Sequence, residues 1–384
     1  MRKIKAISIL LVCAFLLGAC GSNNKQSSST ADKNTAQPAQ PTTQPSTQPS
    51  DNNPPKDWEP NPISDFDYEY NDRLNGIEVC YKGESERVWY PSEINGDPVV
   101  AIGSTVRNRK NITEVYIPEG IKEIGGYAFE DCVNLKSVII PEGVTAIGYS
   151  AFYKCKSLSS IVVPDSVTKI DNKAFYACDS LTSFKFPSNL KLIGDQAFCS
   201  VPLTDIILPD GLETIRSRAF AGCDEVKSVV IPGSVKTIGD GAFSLCDKLA
   251  EITLADSDAL LNIGYDAFDG TYWYKKQPEG FIFLGANLVA YKGEIPESKL
   301  VIPNGTKTIA SLIGSPSIGN VTEIVLPDGL KHISIGAFAQ AYSLTAVNIP
   351  DSVEYIGDNA FKKGLLDETT IERISKINPL GAKN

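Results

Sequence analysis

The chain has 384 residues, 42% hydrophobic and 21% charged, the ordinary balance of a protein that folds around a sizeable core. Its formal net charge of −10 argues against nucleic acid as a partner and against a basic patch for anionic lipid. A single histidine, with no phosphate loop and no nucleotide fingerprint, leaves little from which to build a hydrolase triad or a nucleotide site.

In chain order, residues 1–19 read as a leader. Arg2, Lys3 and Lys5 precede a short apolar run over residues 6–17, and Leu17-Gly18-Ala19-Cys20 brings small residues up to a cysteine. The run is short for a membrane span. These four residues resemble the bacterial lipobox, which implies cleavage before Cys20, lipidation of Cys20 and anchoring at an outer leaflet. An ordinary signal peptide or an uncleaved anchor is the alternative. Residues 20–56, rich in Ser, Thr, Gln and Pro, cannot bury enough apolar area to fold and read as a disordered linker. In polyproline geometry, at about 3.1 Å per residue, it would reach roughly 100 Å.

Residues 57–110 read as an N-terminal cap. Phe66, Tyr68 and Tyr70 alternate, as do Ile77, Val79 and Tyr81, on either side of a hairpin signal at Asn75-Gly76. Residues 88–91 (VWYP) give a first, distorted repeat, followed by an insertion at Asn95-Gly96-Asp97-Pro98.

Residues 111–270 repeat one unit. LKSVIIPEGVTAIGYSAFYKC (135–155) returns as LSSIVVPDSVTKIDNKAFYAC (158–178) and VKSVVIPGSVKTIGDGAFSLC (226–246). Taking the proline as zero, apolar residues fall at −6, −3, −1, +3 and +6, Gly at +7, Ala-Phe at +10 and +11, and often Cys at +14. A fixed period of this length signals a solenoid, each unit burying its face on its neighbours. Positions −3 and −1 point inward from a short strand while −4 and −2 face out, and stacked copies should pair into a parallel sheet. Proline, lacking an N–H, ends the strand. Residues +3 and +6 enter from the opposite wall, Gly at +7 is expected to permit the bend, and Phe at +11 should fill the centre.

The seventh unit has Ala255 in the proline's place, and an aromatic, hairpin-like insertion follows at residues 271–298. Its Tyr291-Lys292-Gly293 echoes Tyr81-Lys82-Gly83, so the insertion should restart the array. Repeats resume over 299–364, and 365–384 read as a C-terminal cap helix and tail. There Thr369 and Glu372 suggest a capping box, with Ile371, Ile374 and Ile377 at helical spacing.

The strand, proline, V-x-x-I-G and A-F-x-x-C pattern, at a period of 23, closely resembles the BspA-like (Treponema pallidum type) leucine-rich repeats. The expected fold is therefore a β-rich leucine-rich-repeat solenoid with short parallel strands, few helices, a hairpin cap and a helix cap. The resemblance implies a non-enzymatic bacterial surface lipoprotein, with adhesin-like members that bind host matrix proteins or other bacteria.

Positions that the core does not dictate carry the candidate sites. The outward −2 row includes Tyr116, Ile139, Val162, Lys185, Ile207, Val230, Thr253 and Val325. Most are apolar, beside a −4 row that is small or acidic. That is the composition of an interaction surface, although β-branched residues suit any strand. A second candidate surface is Tyr272, Trp273 and Tyr274, which could meet a ligand or pack within the insertion. Cys80, Cys132, Cys155, Cys178, Cys199, Cys223 and Cys246 remain once Cys13 and Cys20 are set aside, an odd number. A ladder of buried thiols is the simplest account, with some pairing the alternative; no C-x-x-C pair or partner His suggests a metal. His332, beside the core position Ile333, is expected at the surface. The expected partner is an extracellular protein or glycan, with the membrane met only through the lipid anchor, and no cofactor. The alternative is a scaffold or accessory lipoprotein of an envelope complex of the same cell.

Overall fold

Each turn of the chain folds into three segments that hydrogen-bond to the same segments of the next turn. In this computed structural model residues 58–104, 109–312 and 318–378 are described; the leader, Cys20 and the linker lie outside them. The first segment is the strand before the proline, such as Ser137–Ile139. The second is a two-residue strand on the opposite wall, such as Ala146–Ile147. The third is the corner bearing Ala-Phe.

The second segment forms the longest sheet. Eleven strands run from the antiparallel hairpin Phe66–Asn71 and Gly76–Tyr81 through Asp97–Ile102 to Asn262–Ile263. Beyond the hairpin its path is parallel, each Ile at +6 in register with the next (Ile124↔Ile147, Ile147↔Ile170, Ile170↔Ile193). The proline-side sheet, expected to be continuous, is interrupted. Four strands ending at Ser160–Val162 are separated from the pair Ser228–Ile231 and Glu251–Leu254, and three more follow after the insertion. The break coincides with Phe184 and Phe186 at −3 and −1, where the other turns after the first carry aliphatic residues.

The corners supply a third ladder. In one turn Ser150, Phe152 and Lys154 donate their N–H groups to the carbonyls of Asn172, Ala174 and Tyr176 at 2.9, 2.8 and 2.8 Å. Ser150 and Lys154 stand at φ 53° and 56°, so the corner alternates in hand to aim every second N–H at the next turn.

Phenylalanine fills the centre, as expected. Phe129, Phe152, Phe175, Phe198, Phe220, Phe243 and Phe268 stack with centroids 5.1–5.8 Å apart and are essentially buried. Tyr90 closes the stack edge-on at one end, and Trp273 at the other. The glycines at +7 have a different reason from the one expected. None has a left-handed φ; instead a Cβ on Gly125 would lie 2.5 Å from the Ile102 carbonyl oxygen, and one on Gly148 2.6 Å from the carbonyl carbon of Gly125. They let successive turns approach closely, although Asp171 and Arg216 hold side chains at the same offset.

The seven described cysteines are thiols, those at +14 fully buried and Cys80 and Cys199 partly so. Cys155, Cys178, Cys223 and Cys246 each donate S–H to the Phe carbonyl of the preceding turn, at 3.1–3.2 Å. A small donor at this place meets a buried acceptor that a methyl group would leave half-served.

The insertion restarts the array. Gly280–Leu284 and Asn287–Lys292 form an antiparallel hairpin whose second strand pairs in parallel with Thr308–Ile309. The first hairpin enters the solenoid in the same way, through Gly76–Tyr81 against Asp97–Ile102. A second hydrophobic cluster begins here, from Leu288 to Ile374. Residues 272–274 belong instead to a single helical turn, Tyr272–Lys275, capped by the Thr271 hydroxyl. The closing helix is Glu368–Ile377, and its N-cap is Asp367, which accepts from Thr370 N–H at 2.9 Å. Thr369 therefore lies inside the helix and is not its cap. In the first hairpin, Phe66 is buried while Tyr68 and Tyr70 are exposed.

Candidate ligand-binding face

The proline-side strands place each −2 side chain outward at a spacing of about 4.8 Å per turn. Register is strict where the ladder holds: Trp89 opposes Tyr116, and Ile139 opposes Val162. Tyr116, Ile139 and Val162 are half-buried by their neighbours. Beyond the break the row opens to solvent: Lys185 and Thr253 are exposed, Ile207 and Val230 are 72% and 54% accessible, and Val301 in the second array is 52%. Val325 is half-buried. The row thus divides into a tighter N-terminal part and an open apolar part.

Trp89 belongs to this row and was absent from the sequence-derived candidates. Its ring meets Tyr116 edge-on at 5.2 Å. The signal was Pro91, two residues on, but the irregular spacing of the first repeat obscured it. Along the −4 row, Glu114 pairs with Arg87 at 3.2 Å and Glu323 with Lys299 at 2.7 Å, both solvent-exposed. Such pairs add little stability; they make a charged margin to an apolar stripe.

The second candidate surface is split. Tyr272 is exposed and Tyr274 half-buried, but Trp273 is buried against Phe268 at 5.5 Å. Trp273 thus serves as the terminal ring of the stack and does not present a face to solvent. His332, expected at the surface, is half-buried and lies edge-on to Tyr355 at 5.9 Å. Burial lowers its pKa, opposed by the Glu354 carboxylate. Burial pushes the Cys132, Cys155, Cys178, Cys199 and Cys223 thiols the other way, Cys132 up to about 12, so at neutral pH these are protonated and poor nucleophiles. Among the described residues no group of three or more His, Cys, Asp or Glu could hold a metal ion, and no helix is long and apolar enough to cross a membrane.

A family model described as BspA type Leucine rich repeat region matches residues 100–227, 213–276 and 290–380, in six copies. Among solved structures, a leucine-rich repeat protein from Bacteroides ovatus is 25% identical, over 80% of this chain and 92% of that one, with a TM-score of 0.52. The Treponema pallidum leucine-rich repeat protein is 32% identical over 56% of this chain and 90% of its own, with a TM-score of 0.44. A protein of Faecalibacterium prausnitzii described as a leucine rich cell surface protein is 27% identical over 77% and 84%, at 0.49. No curated protein matches. With the repeat model covering most of the described solenoid, the chain belongs to the BspA-type leucine-rich-repeat family.

Proposed function

We propose that this protein is a non-catalytic, exported, lipid-anchored binding protein whose proline-side strand face holds a protein or glycan ligand. The carrying observation is the open apolar row. Val230 and Val301 are more than half exposed on strands of two short sheets, and Ile207 in the gap before the first of these, while the residues flanking each are buried. A preformed surface loses little entropy on binding, and exposed apolar side chains along one face suit an extended partner. The leader with Cys20 supports export, and the family's adhesin-like members agree with a role in recognition.

The test is binding of the purified protein to panels of matrix proteins, host glycans and bacterial envelope fractions, beside the triple variant Ile207→Glu, Val230→Glu, Val301→Glu. Loss of binding at an unchanged melting temperature is the expected result. Undiminished binding by the variant would rule out this face. A signal from envelope material of the same organism alone would point to a scaffold role in place of an adhesin.

A further inference from the structure

A different part of the molecule carries a second site, independent of the strand-face reading. The corner of the seventh turn, residues 265–269, receives the third ladder normally. Gly241, Phe243 and Leu245 donate their N–H groups to the carbonyls of Tyr265, Ala267 and Asp269, each at 2.8 Å. In every earlier regular turn the equivalent residues pass the ladder on, as Arg218 and Phe220 do to Asp240 and Ala242. Asp266 and Phe268 pass nothing on: no described acceptor takes either N–H.

The reason lies in the insertion. After Leu288 the chain does not turn into an Ala-Phe corner; it continues to Lys292 as the second strand of the hairpin. One corner is therefore missing from the stack, and a cavity of about 250 Å³ stands in its place. Tyr265, Asp266, Phe268, Asp269, Tyr274 and Tyr291 are among its lining residues. Asp266 keeps the left-handed φ of its counterparts, 51°, so the corner retains the form that aims N–H groups at a following turn.

This wall has two oxygen-seeking N–H donors two residues apart, the Asp269 carboxylate, the Asp266 carboxylate already met by the Tyr265 side chain, and three tyrosine rings. Few ligand classes satisfy all of these. A carboxylate or phosphate would suit the N–H groups but be repelled by Asp266 and Asp269. A lysine or arginine side chain would suit the carboxylates but leave the N–H groups unmet, and an apolar ligand would leave both unmet. A sugar ring carries hydroxyls that donate and accept around an apolar C–H face that packs on aromatic rings.

We infer that the cavity left by the missing corner binds a neutral pyranose unit of a glycan. The Asp269 carboxylate accepts from its hydroxyls, the N–H groups of Asp266 and Phe268 donate to its oxygens, and the tyrosines hold its C–H face.

The experiment uses the full chain. It is screened on an array of mammalian and bacterial glycans, then titrated with free hexoses and N-acetylhexosamines, with saturation-transfer NMR as the readout. Two variants run beside it: Asp269→Ala, which removes an exposed acceptor, and Ala290→Leu, which narrows the cavity. The expected result is saturable saccharide binding that falls tenfold or more in both variants, while the Ile207→Glu, Val230→Glu, Val301→Glu protein retains it. No saccharide bound by the wild-type chain would overturn the inference. So would binding that survives Asp269→Ala with affinity unchanged; because that side chain faces solvent, the arm stands even if Ala290→Leu folds poorly.

Discussion

Phe175 shows how much one repeat position carries. Its ring stacks on Phe152 at 5.3 Å and on Phe198 at 5.2 Å, and it also meets Phe184 edge-on. Truncation removes ring contacts with both neighbouring turns at once, so Phe175→Ala should cost about 3–5 kcal/mol, measured by denaturant unfolding. Tyr90 is the opposite case. It is fully buried at the end of the stack, and its hydroxyl meets no partner. A buried hydroxyl without a hydrogen bond costs stability that its removal recovers, so Tyr90→Phe should stabilise by about 1 kcal/mol. A lower melting temperature in that variant would show that the hydroxyl is satisfied.

At the scale of the element, the thiol ladder has a pH signature. Burial is the leading cause that raises Cys132, Cys155, Cys178 and Cys223 above the ordinary thiol value of 9.0. A pKa raised on folding favours the native state fully below the unfolded pKa, and that contribution is lost as pH rises toward the folded one. Stability should therefore hold up to about pH 9 and fall as pH rises toward 12, the value for Cys132. Replacing Cys132 and Cys155 with Ala should flatten the fall, as read from melting curves at stepped pH. Equal slopes in the variant and the parent would rule out the ladder as the cause. The closing helix is a second element whose logic is local: Asp367 caps it, and the Thr370 N–H holds the Asp367 carboxyl below the usual carboxylate range.

Across the whole molecule, the second hairpin divides the core into two hydrophobic clusters; five of the seven described thiols lie in the first and none in the second. Repeat arrays are stabilised by nearest neighbours, so damage in one array need not open the other. Phe338→Ala removes the Phe338–Phe361 stack, whose rings lie 5.3 Å apart. It should speed amide exchange over residues 299–366 while the thiols from Cys132 to Cys246 keep their protection from alkylation. Simultaneous loss of both would show a single cooperative unit. The same division explains the cavity, since the chain resumes with a hairpin where a corner would otherwise stand.

The repeat was legible because its period is set by one-dimensional stacking. Val138, Ile140, Val144, Ile147 and Phe152 point inward by offset alone, and each is buried. The restart was legible in Tyr291-Lys292-Gly293, since a matching hairpin needs matching residues. What depended on neighbouring turns was not legible. Gly148 is small because of a backbone in the preceding turn, and Cys178 donates to a carbonyl 26 residues away. Asp367 as the cap was not legible because Thr369, with Glu372 three residues on, matches the capping-box pattern better than Asp367 with Thr370. On the candidate face, the −2 offset placed Ile207 and Val230 outward, but only the assembled turns decided that the ladder stops after Ser160–Val162 and that Trp273 turns inward. Local pattern thus determined which residues face the core, because side-chain direction follows from strand periodicity. Tertiary structure decided which outward residues stay open and where a cavity remains, because both depend on what the next turn brings against them.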